Sequence, residues 1–186
     1  MSDTQLWEQL KNGSHTAFRQ IYETSIEGLL QYGFRFCKDK ETVEDCLHDL
    51  FIYIWKNRSG LSGTDSIRRY LMVALRRRII QELKVRSTDL NEQNMPFHCD
   101  LSMEEEWILS EEKQASQRSL QEAFGHLSER QKEAVYLKYY QGLSYEAICE
   151  VMNLNYQSAR NLVFNSVQAL RRAMALISLL IFLITI

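Results

Sequence analysis

Between Ser87 and Glu112 the chain carries eight Asp or Glu residues, no Lys or Arg, and its only proline, Pro96. A stretch of one sign, with the polar run Asp89 to Asn94 inside it, lacks the apolar surface to build a core. It therefore divides the chain into two candidate folded blocks and reads either as a linker or as a segment that a partner orders. The segment before it, Ser66 to Arg86, is net +6, the acidic stretch itself is −8, and the flanking parts are −3 and +3, so the overall charge of −2 averages opposed fields. One proline and seven glycines in 186 residues leave little to punctuate short strands. With many Leu, Glu, Gln and Arg residues, that composition predicts an all-α fold of two small helical domains and argues against a β-sandwich.

The four cysteines (Cys37, Cys46, Cys99, Cys149) show no CxxC spacing, and the opening MSDTQLWEQL has no basic region followed by an apolar core, so neither a disulfide scaffold nor secretion is expected. His98 beside Cys99 is a lone pair without further ligands nearby and predicts no metal site. No P-loop, GxSxG, HExxH or paired-carboxylate constellation occurs, so the expectation is a protein with no catalytic residues, no cofactor and no small-molecule substrate.

In the first block, Leu6, Leu10 and Asn12-Gly13 mark a short helix with a stop, Ser14 opens a second helix with Phe18, Ile21 and Tyr22, and a third is expected from about Ile26 to Cys37. Val43, Leu47, Leu50, Phe51 and Ile54 then share one face of a fourth helix. The opposite face mixes carboxylates with apolar groups: Asp45, His48, Asp49, Ile52, Tyr53 and Lys56. Such a face suits docking of another helix, or burial on two sides within its own bundle. Lys56 to Asp65, with two glycines and several hydroxyl residues, is a loop, and Asp65 or Ser66 can cap the helix that follows. On a helical wheel Ile67, Leu71, Ala74 and Leu75 fall together, and Arg69, Arg76, Arg77 and Lys84 form a far-side basic stripe. That stripe fits a phosphate backbone, or a solvated face paired with the acidic stretch.

In the second block, Ser128-Glu-Arg-Gln131 is a capping box that starts a helix ending at Gly142. Ser144 caps a short helix, Tyr145 to Met152; Asn153-Leu154-Asn155 is a tight turn; and Asn155 caps a helix from Tyr156 to about Ala173. Two helices joined by so short a turn form a helix-turn-helix. The exposed leading residues of its second helix are Tyr156, Gln157, Ser158, Arg160 and Asn161. Gln and Asn match adenine bidentately and Arg matches guanine or phosphate, so this face suits base reading in a major groove.

Several of these stretches, in this order, resemble the extracytoplasmic-function sigma factors of the sigma-seventy family: Ala17-Phe-Arg-Gln-Ile-Tyr22, Val43 to Phe51 ending at Trp55, Leu127 to Val135, and Gly142 to Ile148. The run Asn155 to Phe164 is most similar to the iron-citrate-regulator-like branch common in Bacteroidetes. The resemblance implies a cytoplasmic protein of two domains. Residues 1–86 would be region 2, which binds core polymerase and reads and melts the minus-ten element; 87–112 an acidic linker threading the polymerase toward the RNA exit path; 113–172 the region 4 helix-turn-helix for the minus-thirty-five element; and 173–186 an apolar tail outside the family pattern. Asp45, His48, Asp49, Ile52 and Tyr53 would then dock on the clamp helices of the polymerase largest subunit. The loop with Asn57 and Arg58 would take a flipped non-template base, and Arg69, Arg76, Arg77 and Lys84 would hold the strand. The resemblance also implies a membrane-bound anti-sigma factor as partner.

Two departures stand out. Leu162 occupies a site where many relatives carry a second basic residue, leaving Arg160 the only cation from Asn153 to Leu170. Recognition should lean accordingly on Gln157, Asn161 and DNA shape. The 14-residue tail Ala173 to Ile186 would be about 21 Å as a helix, too short to span a hydrocarbon core of about 30 Å comfortably, and is expected to pack or dock on a partner in preference to touching membrane. The rival readings are a free-standing helix-turn-helix regulator and an adaptor that docks through its tail.

Overall fold

The computed structural model describes residues 2–86, 90, 95–98 and 120–184, the last ten of these by backbone alone. The fold is all-α, with no strand among the described residues. The chain separates into two compact units, Met1–Pro96 and Phe97–Ile186.

In the first unit, α1 spans Asp3–Lys11. Its start is fixed by a reciprocal capping box: the Gln5 amide donates to Ser2 Oγ (3.3 Å) and the Ser2 amide to Gln5 Oε1 (3.1 Å). It stops because Gly13 takes φ +89°, which glycine adopts without Cβ strain. Helix α2 then runs unbroken over His15–Phe36 and merges the two helices expected from the sequence. The chain does not break at Thr24-Ser25, just ahead of the expected start at Ile26. Thr24 Oγ1 instead donates back to the Gln20 carbonyl at 2.8 Å, inside the helix.

Helix α3 covers Lys40–Asn57 and a 3₁₀ turn Arg58–Gly60 follows. Helix α4 covers Ile67–Arg86. Val43, Leu47, Leu50, Phe51 and Ile54 are all buried, as their spacing predicted, together with Trp7, Leu10, Ile21, Leu29, Tyr32 and Phe36. Gly33 lets α2 and α3 approach closely: a Cβ there would lie 2.5 Å from Val43 Cγ1.

The second unit has helical residues 120–125 (α5), then α6 over Glu129–Val135, which runs into a π-helical turn, Tyr136–Tyr140. The capping box at Ser128 and Gln131 is present, and Gly142 ends the segment with φ +66°. The π turn is anchored by a buried bond from Gln141 Nε2 to Tyr136 Oη at 2.7 Å. Helix α7 spans Tyr145–Met152, and α8 spans Tyr156–Ile184. The turn between them places Asn153 at φ 52°, a left-handed conformation that asparagine tolerates better than most residues. Ala123, Phe124, Leu127, Val135 and Leu170 form a core cluster, with Ala173 and Met174 against it. The apolar tail thus continues the helix that carries the turn motif, and its side chains from 175 onward lie outside the described residues. So do most of the acidic stretch and Cys99.

Candidate functional site

Three surfaces carry the residues singled out from the sequence. The first is the outer side of α3. Asp45, His48, Asp49 and Tyr53 are exposed and Ile52 is half-buried, so this face is not consumed by packing within the first unit. Beside it, α2 and α3 leave an open groove of about 650 Å³ lined by Phe18, Tyr22, Phe51, Ile52 and Trp55 with His48 at its wall. The floor is aromatic: Tyr22 meets Phe51 edge-on at 4.8 Å and Phe18 lies 5.2 Å from Trp55. Glu44 and Lys56 also line it. An apolar trough with a charged margin is what an amphipathic helix requires of a partner. Tyr53 extends the surface toward α4, with the Arg78 guanidinium 5.4 Å above its ring. Cys46, on the buried side of α3, has its thiol pushed up to about 11 by burial and by nearby Glu82, so it stays protonated and inert.

The second surface is the α3–α4 loop and α4. Asn57 is exposed, and its Nδ2 donates to the Tyr53 carbonyl at 2.9 Å. Arg58 is half-buried, its guanidinium 4.4 Å above the Trp55 ring and donating to the Trp55 carbonyl at 2.7 Å. Ser59, Gly60, Ser62, Gly63 and Asp65 form the outer edge.

The expected basic stripe is only partly realised. Arg77 and Lys84, two turns apart, are exposed, whereas Arg69 is half-buried in an ion pair with Asp65. Arg76 overturns its expected solvent-facing place: it is 3% exposed, with its guanidinium 6.0 Å over the Phe36 ring. The wheel centred on Ile67 set the apolar face wrongly. Met72, Ile79 and Ile80 are also buried, so more than half of the α4 circumference faces the core. At about 100° per residue, position 76 falls inside that wider arc.

The third surface is the start of α8. Asn155 Oδ1 accepts from the Ser158 amide at 2.8 Å and caps the helix as predicted. Tyr156, Gln157, Arg160 and Asn161 are exposed, and Ser158 is half-buried. Gln157 Nε2 donates to Asn161 Oδ1 at 2.8 Å, which holds the two amides side by side with Gln157 Oε1 and Asn161 Nδ2 outside that bond. One acceptor and one donor presented together match the donor and acceptor on the major-groove edge of adenine. Leu162 is half-buried and so has a packing role.

Sequence reasoning missed Phe164, 62% exposed on the same face as Gln157 and Arg160, and Tyr139, 64% exposed on the π turn. Phe164 was findable, since it continues the spacing 157, 160, 164; the π turn gave no such signal. Ahead of the turn, Glu146 sits in the first turn of α7, where its own amide and Ser144 lower its carboxyl below the ordinary range. Among the described residues no group of His, Cys, Asp and Glu could hold a metal ion.

The fold and these surfaces define a two-domain helical protein whose second domain is a helix-turn-helix. Residues 117–170 match the model of the sigma-70 region 4 family. The chain is 21% identical over 179 residues to the ECF RNA polymerase sigma factor SigK of Mycobacterium sp. (strain JLS), covering 92% of this chain and 90% of that protein. It is 21% identical over 164 residues to the ECF RNA polymerase sigma factor SigX of Bacillus subtilis (strain 168), covering 86% and 84%. In fold it is similar to CnrH, solved in complex with the cytosolic domain of CnrY (TM-score 0.61, 15% identity, 93% of this chain and 97% of that one). It is equally similar to the sigma factor RpoE from Bartonella quintana, solved with the anti-sigma factor NepR (TM-score 0.61, 17% identity, 85% and 96%). The second unit thus carries the sequence pattern of a sigma-70 region 4, and the chain as a whole is similar to extracytoplasmic-function sigma factors.

Proposed function

We propose that this chain binds core RNA polymerase and directs promoter-specific initiation as an extracytoplasmic-function sigma factor. The observation that carries the reading is the similarity to such sigma factors along 92% of the chain, which takes in both helical units and not the turn motif alone. A free-standing regulator would share only the second.

On this reading residues 1–86 act as region 2, 87–112 as an acidic linker inside the polymerase, and 113–172 as region 4. Asp45, His48, Asp49, Ile52 and Tyr53 dock on the clamp helices of the largest subunit; the exposure of all but half-buried Ile52, beside an aromatic groove, supports the assignment. Asn57, the loop edge, Arg77 and Lys84 take the melted minus-ten strand. Arg58 and Arg69 border it, held by Trp55 and Asp65, and buried Arg76 leaves the contact set. Tyr156, Gln157, Ser158, Arg160 and Asn161 meet the minus-thirty-five element.

The protein itself performs no chemistry and works in the cytoplasm, polymerisation belonging to its partner. An anti-sigma factor, membrane-bound, would cover the groove and the loop; the likeness in fold to the sigma factor RpoE, solved with the anti-sigma factor NepR, supports an anti-sigma partner. The Asn155 to Phe164 run favours the iron-citrate-regulator-like branch. The test is run-off transcription with purified core polymerase on a promoter library. Transcripts with one defined start and a shared two-part upstream sequence are expected; a library in which the protein changes no start site would overturn the reading.

A further inference from the structure

The loop between α3 and α4 contains Gly60 and Gly63, and a Cβ at either would meet nothing within 4 Å. Both glycines are exposed, so no side-chain packing holds this edge of the loop, and ordering glycines costs more conformational entropy than ordering other residues. Its order comes from behind, from α1. Trp7 is wholly buried, and its indole N–H donates to the Ser62 carbonyl at 2.8 Å. Its ring lies 4.7 Å from that of Tyr70 on the first turn of α4. Asp3 Oδ2 accepts from the Ile67 amide at 2.9 Å, so a carboxylate 64 residues away satisfies one of the orphan donors at the start of α4. Thr64 Oγ1 ties the last corner by donating to the Ser66 carbonyl at 2.9 Å.

We propose that α1 is a positioning element for strand capture, with Trp7 and Asp3 fixing the 61–66 loop in the form that receives the melted DNA strand without touching DNA themselves. The proposal rests on the functional reading above. It predicts that strand opening depends on the N–H bond of a buried indole and on an exposed carboxylate behind the loop, a dependence that packing of α1 alone would not create.

The experiment uses the full chain with Trp7→Phe, which keeps a ring and removes the donor, and Asp3→Ala against Asp3→Asn, whose amide oxygen can still accept. Hydrogen exchange at amides 61–67 is compared with that at buried α2 amides, which report global unfolding, and promoter melting is followed by a fluorescent base at the minus-ten element. Trp7→Phe and Asp3→Ala are each expected to speed loop exchange and slow melting by about fivefold, the factor one hydrogen bond contributes. Polymerase affinity should stay within about twofold, and Asp3→Asn should restore near-normal values. Unchanged loop exchange in both variants, or unchanged melting despite a loosened loop, overturns the proposal. If Trp7→Phe unfolds, the Asp3 pair decides alone. Wild-type protein that opens no promoter overturns the functional reading, a failure visible before any substitution is made.

Discussion

At the scale of single residues, the chemistry of recognition narrows to few side chains. Arg160 is the only cation in the proposed reading face, so on that proposal specificity would fall on the Gln157–Asn161 amide pair. Gln157→Ala is expected to cost about 1 to 3 kcal/mol at one base of the upstream element and little elsewhere. Competition binding against single-base variants by the polymerase complex measures this, and an unchanged preference at every base would remove Gln157 from the interface. Asp39 offers a different measurement. Hydrogen bonds from Thr42 and then Arg86 hold its carboxyl below the ordinary value of 3.8. A carboxylate lowered in the folded state stabilises fully above the unfolded value and loses that contribution as pH falls through the folded one. Its NMR titration midpoint should therefore lie under 3.8 and move up toward it in Arg86→Gln. A midpoint indifferent to Arg86 would mean the pair across α3 and α4 does not persist in solution.

At the scale of elements, the caps and turns were legible because each has a local cause: Ser128 with Gln131, Gly142, Asn153 and Asn155 all behave as their side chains dictate. Arg76 was not legible. Its burial depends on how many helices surround α4, which the periodicity of one helix cannot reveal. Nor was the continuity of α2, where Thr24 chose an intrahelical acceptor over a cap. The contact of α2 with α3 is the element-level constraint most open to test. Gly33→Ala would drive a methyl against Val43 and is expected to destabilise by about 1 to 3 kcal/mol, read by thermal melting. No change in melting would show that the two helices can separate without cost. On α4, Arg77→Glu with Lys84→Glu should slow strand opening by about tenfold or more while leaving polymerase affinity within about twofold. Equal loss of both would contradict a strand-holding role.

At the scale of the whole molecule, the division of charge makes sense only with partners present. A basic helix, an acidic stretch with no Lys or Arg and a reading face with one cation between Asn153 and Leu170 give weak fields for duplex DNA alone, because affinity for phosphate grows with each counterion released. The described residues include no helix long and apolar enough to cross a membrane. The two-unit architecture was legible from the charge inversion, whereas the extent of α8 into the apolar tail was visible only as one of several readings. The most direct test is promoter affinity of the full chain by fluorescence anisotropy, with and without core polymerase. Binding is predicted to be weak and indifferent to sequence alone, and to become tight and promoter-specific when core polymerase is added. Tight, specific binding by the isolated chain that polymerase does not alter would contradict the account.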